Sequence, residues 1–463
     1  MNDRLQQFAT SFVESTREYI FIRPEDNLLI LRPNRVHHLN TTATTMLQVL
    51  YNQERVDTVS LVREMVNRYG VTESQVEQDL DRLLQSLSLL LQGKTNCAPA
   101  VRSTAFGSHE VKYPVLSEIA LTYRCQNRCF FCYASSPDRG REVHEMSTEE
   151  VKLVLDKIVD QARVPTVSFT GGEPTLRRDL PELIAHAKGR KMRTNLITNG
   201  IRCAGEDFVS QLAEAGLDSA QVSLEAGDSQ THDTVVNHPG AFQQTIQGLE
   251  NLKQAGIHTH TNTTINSRNI DALPGMIDFL AMLGQEYLSM NMVIRTGEAV
   301  GVDDVRYEEI GDIVIPLKER AEEQGMRFVW YSPVPYCLFN TVAHGLGSQG
   351  CAAADGLLSI APNGDVLPCS SFEKGIGNLV QEDFQEIWNR RQARYWRNKE
   401  FLPPGCRKCD LAHLCCGACP LYWDEQGSFA ELAPYLSQTK PWEGLAWRAK
   451  RRFLGKVKGV GVG

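Results

Sequence analysis

The sequence lacks any long hydrophobic run: no apolar stretch approaches the ~18 residues needed to span a bilayer, so a helical membrane protein is excluded. Its first residues, MNDRLQQFATSFVESTREYI, lack the basic segment and apolar core of a secretory signal. It also lacks an excess of basic charge. Lys and Arg total 48 against 56 Asp and Glu, a net charge of −8, which argues against a general nucleic-acid binder. Low-complexity, collagen-like and coiled-coil patterns are absent as descriptions of the whole. With 42% hydrophobic and 22% charged residues, the 463 residues suffice for about three domains, each with a core. The expectation is a soluble, cytoplasmic protein with no nucleic-acid or membrane partner.

Cysteine is abundant. There are 13, an odd number, and a reducing compartment makes a disulfide framework a poor explanation. Three fall at Cys125, Cys129 and Cys132, and seven between Cys351 and Cys419. Clustering of this kind reads as metal or iron–sulfur ligation. Cys97 and Cys203 stand outside both groups and read as ordinary residues.

Periodicity divides the chain. Within 18–95, alternating apolar positions around a Pro-Glu-Asp-Asn turn predict two or three short strands. Helical faces follow at Leu61, Val62, Met65 and Val66, then at Val76, Leu80, Leu83, Leu84 and Leu87 behind a Thr72 cap. Together they make a winged-helix-like module. Residues 96–113 read as a linker. From 114 to 330 a strand–helix rhythm predicts strands at Val115–Tyr123, Thr166–Thr170, Arg193–Thr198, Ser219–Glu225, His258–Ile265 and Tyr287–Arg295, with a capping box at Ser147 and Glu150. Six such units fit an open partial (β/α)6 barrel, since a closed eight-unit barrel takes ~250 residues. Residues 331–424 form a Cys-rich segment that needs metal to hold it together. Residues 425–463 are a C-terminal extension with a basic tail at Trp447–Lys458. The fold class is thus α/β, with a winged-helix-like module before the barrel and a Cys-rich domain after it.

Cys125-x3-Cys129-x2-Cys132 directly follows the first barrel strand, at the face where barrel active sites sit. Three thiolates hold three irons of a [4Fe–4S] cube and leave the fourth open. An electron-transfer cluster or a structural zinc takes four protein ligands. With Phe131 in the aromatic position, this motif resembles the signature of the radical S-adenosylmethionine (SAM) superfamily. The resemblance implies that SAM chelates the open iron and is reductively cleaved to a 5′-deoxyadenosyl radical, with a flavodoxin- or ferredoxin-type reductase as electron donor.

Further segments extend the resemblance. Gly171-Gly172-Glu173-Pro174 follows the second strand, where the lack of Cβ atoms permits close backbone approach; in the superfamily this segment binds the SAM amino group. Thr198-Asn199-Gly200 ends the third strand. Ser223 and Glu225 alternate at the end of the fourth, which suits ribose contacts. His232-Asp233-Thr234-Val235-Val236-Asn237 lacks the arginine that relatives carry near the SAM carboxylate, and Arg295 is the candidate substitute.

Cys351-x12-Gly364-x4-Cys369, then Cys406-x2-Cys409-x5-Cys415-x3-Cys419, resembles the SPASM extension, which carries auxiliary [4Fe–4S] clusters. The resemblance implies one cluster on Cys351, Cys369 and Cys419, with Cys337 as an additional ligand. A second falls on Cys406, Cys409 and Cys415, without its usual fourth cysteine. Cys416, Asp424 or another oxygen donor is a replacement, or that iron is open. Zinc on Cys406, Cys409, Cys415 and Cys419 is the rival reading.

A winged-helix shape suggests DNA, but Glu77, Asp79 and Asp81 against Arg82 would repel phosphates. The module instead resembles the PqqD-like peptide-recognition element, in which a leader peptide adds a strand to the sheet. Together these resemblances imply a peptide or protein maturase that cross-links or oxidises a precursor. Alternatives are a radical SAM modifier of a small molecule or tetrapyrrole, and a non-catalytic iron–sulfur or zinc regulator. No protein acid or base at the radical site is legible.

Overall fold

The computed structural model describes residues 3–32, 35–92, 100–104, 111–302 and 304–435. Cys97 and the basic tail lie outside the described residues. The chain forms two units, 1–106 with 110–115, and 107–109 with 116–463.

In the first unit, α1 (Asp3–Thr16) precedes the hairpin strands β1 (Ile20–Arg23), β2 (Leu28–Leu31) and β3 (Arg35–Leu39). Helices α2 (Thr41–Asn52), α3 (Thr58–Tyr69) and α4 (Glu73–Leu91) follow, then β4 (Val101–Thr104). The sheet is antiparallel in the order β1-β2-β3-β4. Asn27 takes the left-handed conformation after the Pro24–Asp26 turn (φ 55°), a role Asn fills at low cost. One sheet face packs Ile20, Leu29, Leu31 and Leu39 against the helices; the other packs Leu28, Ile30 and Val36 with Val115.

Two features differ from the sequence expectation. Helix α1 lies ahead of residue 18, yet Leu5, Ala9, Phe12 and Val13 belong to this core. Residues 101–104 are a strand within the expected linker; four residues are too short to show a period, and β3 supplies the pairing edge. Glu77, Asp79 and Asp81 of α4 are partly exposed, with Asp79 paired to Arg82 and Asp81 accepting from Gln85.

The second unit is built on a parallel run of β5 (Leu116–Thr122), β6 (Thr166–Gly171), β7 (Arg193–Thr198), β8 (Ser219–Ser223), β9 (His258–Ile265), β10 (Tyr287–Met292) and β11 (Arg327–Trp330). All six expected strands are present, and β11 adds a seventh after the helix Ile310–Glu323. The Cys-rich segment contributes β12 (Leu357–Ile360), β13 (Asp365–Leu367) and β14 (Gly377–Asn378). Strand β12 pairs parallel with β5, so the sheet runs from β11 through β5 to β14 without closing. The Cys-rich segment is therefore continuous with the barrel sheet.

The register assigns each strand two faces. Ile119, Leu121, Val167, Phe169, Leu196, Ala220, Val222, Leu288 and Met290 share the outer face and are buried. Glu118, Ser168, Asn195 and Ser219 align on the inner face, as do Gln221 with His260 and Ser223 with Asn262 and Ser289. These side chains bond across strands: Asn195 Nδ2 donates to Ser168 Oγ (3.3 Å), Ser219 Oγ to Asn195 Oδ1 (2.9 Å), and Asn262 Nδ2 to Asn291 Oδ1 (2.8 Å). Barrel interiors are ordinarily filled by Val, Ile and Leu. A polar inner wall fits a lumen that receives polar material.

Candidate active site

Cys125, Cys129 and Cys132 lie on the loop after β5, and backbone contacts from several elements fix that loop. Gly172 N donates to Thr122 O (2.7 Å) and Glu173 N to Arg124 O (2.8 Å). Arg128 N donates to Val236 O (2.9 Å), and Glu298 N to Cys132 O (3.0 Å). Asn127 Oδ1 meets His238 Nδ1 at 2.9 Å. A Cβ on Gly171 would fall on the Thr122 carbonyl, and one on Gly172 would lie 2.5 Å from the carbonyl oxygens of Tyr123 and Arg124. These glycines are required by the close packing of the β6 loop on the cysteine loop. Gly297 serves likewise: its φ is 61° and its Cβ would meet the Cys132 carbonyl.

The Glu173 side chain is fully buried. Its Oε1 accepts from Thr175 N (3.0 Å), Thr175 Oγ1 (2.6 Å) and Thr198 Oγ1 (2.7 Å), and its Oε2 from Asn199 N (2.8 Å). Burial pushes its carboxyl up, against those hydrogen bonds. The Thr198 hydroxyl also accepts from Gly200 N (3.0 Å). Thr198, which the resemblance makes a candidate cofactor contact, braces Glu173 here, and its parity in β7 matches buried Leu196. Asn199 is the residue that reaches the cysteine loop, with Nδ2 3.8 Å from Cys125 Sγ. Pro174 starts the buried turn Pro174–Leu176.

Glu225 lies two residues past β8, buried, and accepts from Thr264 N through Oε2 (2.9 Å). Burial pushes its pKa up to about 8. Its own amide donates to His232 Nδ1 (3.1 Å), and burial lowers His232 to about 4, so the ring is a neutral acceptor. Asp233 accepts from Gly240 N and Phe242 N (2.6 and 2.8 Å). The His-Asp pair thus fixes the turn beneath Glu225. Ser223 is half-buried on the inner face. Phe131 stands edge-on to Phe130 at 5.4 Å, and the Arg268 guanidinium lies 3.9 Å from the Phe130 ring centroid. Arg295 is committed elsewhere. It donates to Asp304 O (2.9 Å) and Val305 O (3.3 Å) and lies over the Tyr422 ring at 4.7 Å.

Burial, then Glu173, pushes the Cys125 thiol up to about 12. Burial, then Glu225 and the two neighbouring thiols, raises Cys129 well above its ordinary value. Thiols raised in this way, as Cys125 and Cys129 are, ionise against positive charge, which bound iron would provide. Glu118, unremarked in the sequence, accepts from Ser359 Oγ (2.5 Å) and Ser370 N (3.3 Å), which ties β5 to the Cys369 loop. A carboxylate inside the apolar run LSEIALT was the signal for it.

The second cysteine region has two neighbourhoods, with Cys416 near both Cys351 and Cys415. Cys369 interacts with Cys351 and Cys419. Cys337, expected to join that set, interacts with Cys415 and Cys409, and Cys406 with Cys415, Cys337 and Cys409. Among the described residues, no three Cys, His, Asp or Glu side chains converge tightly enough to hold a single metal ion.

The radical SAM superfamily pattern matches residues 119–280, which contain the thiolate loop and strands β6 to β9. The chain belongs to the radical SAM superfamily. The SPASM iron–sulfur cluster-binding domain matches residues 351–410, and coenzyme PQQ synthesis protein D matches 27–88. This radical SAM/SPASM chain is 30% identical over 328 residues to an AdoMet-dependent heme synthase of Oleidesulfovibrio alaskensis, covering 65% of this chain and 80% of the relative. It is 28% identical to a PqqA peptide cyclase of Granulibacter bethesdensis, with the same shares covered. Its fold is similar to Streptococcus suis SuiB bound to precursor peptide SuiA, with a TM-score of 0.65 at 16% identity, covering 88% of this chain and 94% of SuiB. The radical SAM/SPASM protein is an enzyme whose cofactors are [4Fe–4S] clusters and SAM. No helix among the described residues is long and apolar enough to cross a membrane.

Proposed function

We propose that this enzyme modifies a ribosomally made peptide or protein, forming a cross-link or an oxidised residue. The observation that carries this reading is a PqqD-like module and a SPASM segment in the same chain as the barrel. The likeness to SuiB, solved with its precursor peptide, supports it.

In this reading Cys125, Cys129 and Cys132 hold the cluster that takes SAM. When bound, the reduced cluster and SAM supply a 5′-deoxyadenosyl radical that abstracts a substrate hydrogen. The Gly171–Pro174 segment presents backbone groups to the SAM amino end, with Glu173 holding it in place. Asn199 donates to Cys125, Ser223 and Glu225 face the ribose, and Arg268, held over the Phe130 ring, is a cation for the carboxylate. Phe131 shields the cluster from water. The precursor docks on the small sheet as an added strand, a flavodoxin- or ferredoxin-type reductase delivers the electron, and the enzyme works in the cytoplasm.

The 30% identity to a heme synthase favours a second reading, tetrapyrrole modification. The PqqD-like module in the same chain favours the peptide reading over it.

The test is anaerobic turnover with SAM, reductant and a deuterated candidate precursor peptide. Deuterium should appear in 5′-deoxyadenosine, and Cys129→Ala should abolish the product. Porphyrin-dependent turnover, with no deuterium transfer from any peptide, would replace this reading with the second.

A further inference from the structure

The sequence pattern leaves the Cys406, Cys409 and Cys415 set one thiolate short. Three observations bear on where the fourth comes from. Tyr336 N, next to Cys337, donates to Cys415 Sγ at 3.4 Å. Cys415 Sγ lies 4.0 Å from Val334 O, so the chain leading into Cys337 passes directly over Cys415. Cys406 and Cys409 are one turn apart, with Cys409 N donating to Cys406 O (3.1 Å).

The loop after Cys415 is shaped for a thiolate. Cys416, Gly417 and Ala418 all take the left-handed conformation, with φ of 54°, 59° and 67°. Two of the three are not glycine, an arrangement that costs roughly 1 kcal/mol or more per residue. It turns the amides of Gly417 and Ala418 onto Cys415, together with that of Tyr336. Converging backbone N–H groups form an anion cradle, and hydrogen bonds to sulfur are how a protein tunes an iron–sulfur cluster. Cys416 points away from this cradle. Its Sγ lies 3.9 Å from Leu414 O and would sit 3.1 Å from a Cβ on Gly350, on the Cys351 side.

We propose that Cys337 replaces the missing cysteine, so that Cys337, Cys406, Cys409 and Cys415 form a complete four-thiolate auxiliary site. The other auxiliary set is then Cys351, Cys369 and Cys419. This inference rests on the assignment of the SPASM cysteines to [4Fe–4S] clusters.

The test is iron analysis and EPR of the reduced, anaerobically reconstituted full-length protein. Cys337→Ser, which keeps a donor atom, should retain the iron and shift one auxiliary signal. Cys337→Ala should open a corner of that same cluster, so its signal should shift and become sensitive to added 2-mercaptoethanol. Cys406→Ala, which leaves three thiolates, should retain the iron, whereas Cys337→Ala/Cys406→Ala, which leaves two, should lose about four irons and that signal. Full iron in Cys337→Ala/Cys406→Ala, or an auxiliary signal unchanged in both Cys337→Ser and Cys337→Ala, would each overturn the proposal. Wild-type protein with only about four irons would overturn the auxiliary-cluster reading itself, before any variant is compared.

Discussion

Glu173 Oε1 accepts a hydrogen bond from Thr198 Oγ1 at 2.7 Å, joining the end of β6 to the end of β7 behind the cysteine loop. Thr198→Val keeps the shape and removes the donor, so it should cost about 1 kcal/mol. Glu173→Ala leaves two amides and two hydroxyls without their acceptor, and should cost about 3 kcal/mol or more. Thermal unfolding should rank the two in that order, with SAM affinity by calorimetry falling in parallel. Equal effects would show that Glu173 is no hub.

Gly172→Ala places a methyl group against the carbonyls of Tyr123 and Arg124. Backbone cannot yield as a side-chain end does, so about 1–3 kcal/mol of overpacking is expected. The cysteine loop must shift, and iron bound at Cys125, Cys129 and Cys132 should fall in a background lacking the auxiliary cysteines. Unchanged iron there would refute the packing role.

Lys399 and Asp355 form an ion pair of 2.9 Å, with side chains 3% and 0% exposed. Lys399 also donates to Cys351 O (2.5 Å). Lys399→Met strands a buried carboxylate and should destabilise by about 3–5 kcal/mol. Lys399→Met/Asp355→Leu should recover much of that loss. A melting temperature that is no better in the double variant counts against the pairing.

His260, deep in the barrel, is held down to about 4 by burial and then by His258. The unfolded chain binds this proton below about 6.5 while the folded chain does not. Stability is therefore intact above pH 6.5 and lost as pH falls toward 4, by on the order of 3 kcal/mol for this group. His37 and His232, lowered to about 4 chiefly by burial, add losses of the same sign. His260→Gln should flatten the acid limb of a stability–pH curve. An unchanged slope between pH 6.5 and 4 would exclude this source.

The strands were legible because apolar outer positions and turn signals recur at βα spacing, and every parallel strand from β5 to β10 lies where that rhythm put it. Strand β4 was not legible, because four residues carry no period and its pairing edge belongs to another segment. The Thr198-Asn199-Gly200 motif was visible as a strand end, but how its side chains split, Thr198 onto Glu173 and Asn199 toward the cysteine loop, was not. Arg295 was chosen for its place at a strand end, yet Tyr422, over a hundred residues away in sequence, holds it.

The sequence by itself determined the chemistry. Three thiols at the spacing Cys125-x3-Cys129-x2-Cys132, with Phe131 between, directly after the first barrel strand, carried the resemblance to the superfamily. Tertiary structure alone decided how distant cysteines are shared. Spacing fixes which thiols sit on one loop; which loops meet depends on sheet register and on the left-handed turn at Cys416–Ala418, and these bring the segment before Cys337 over Cys415.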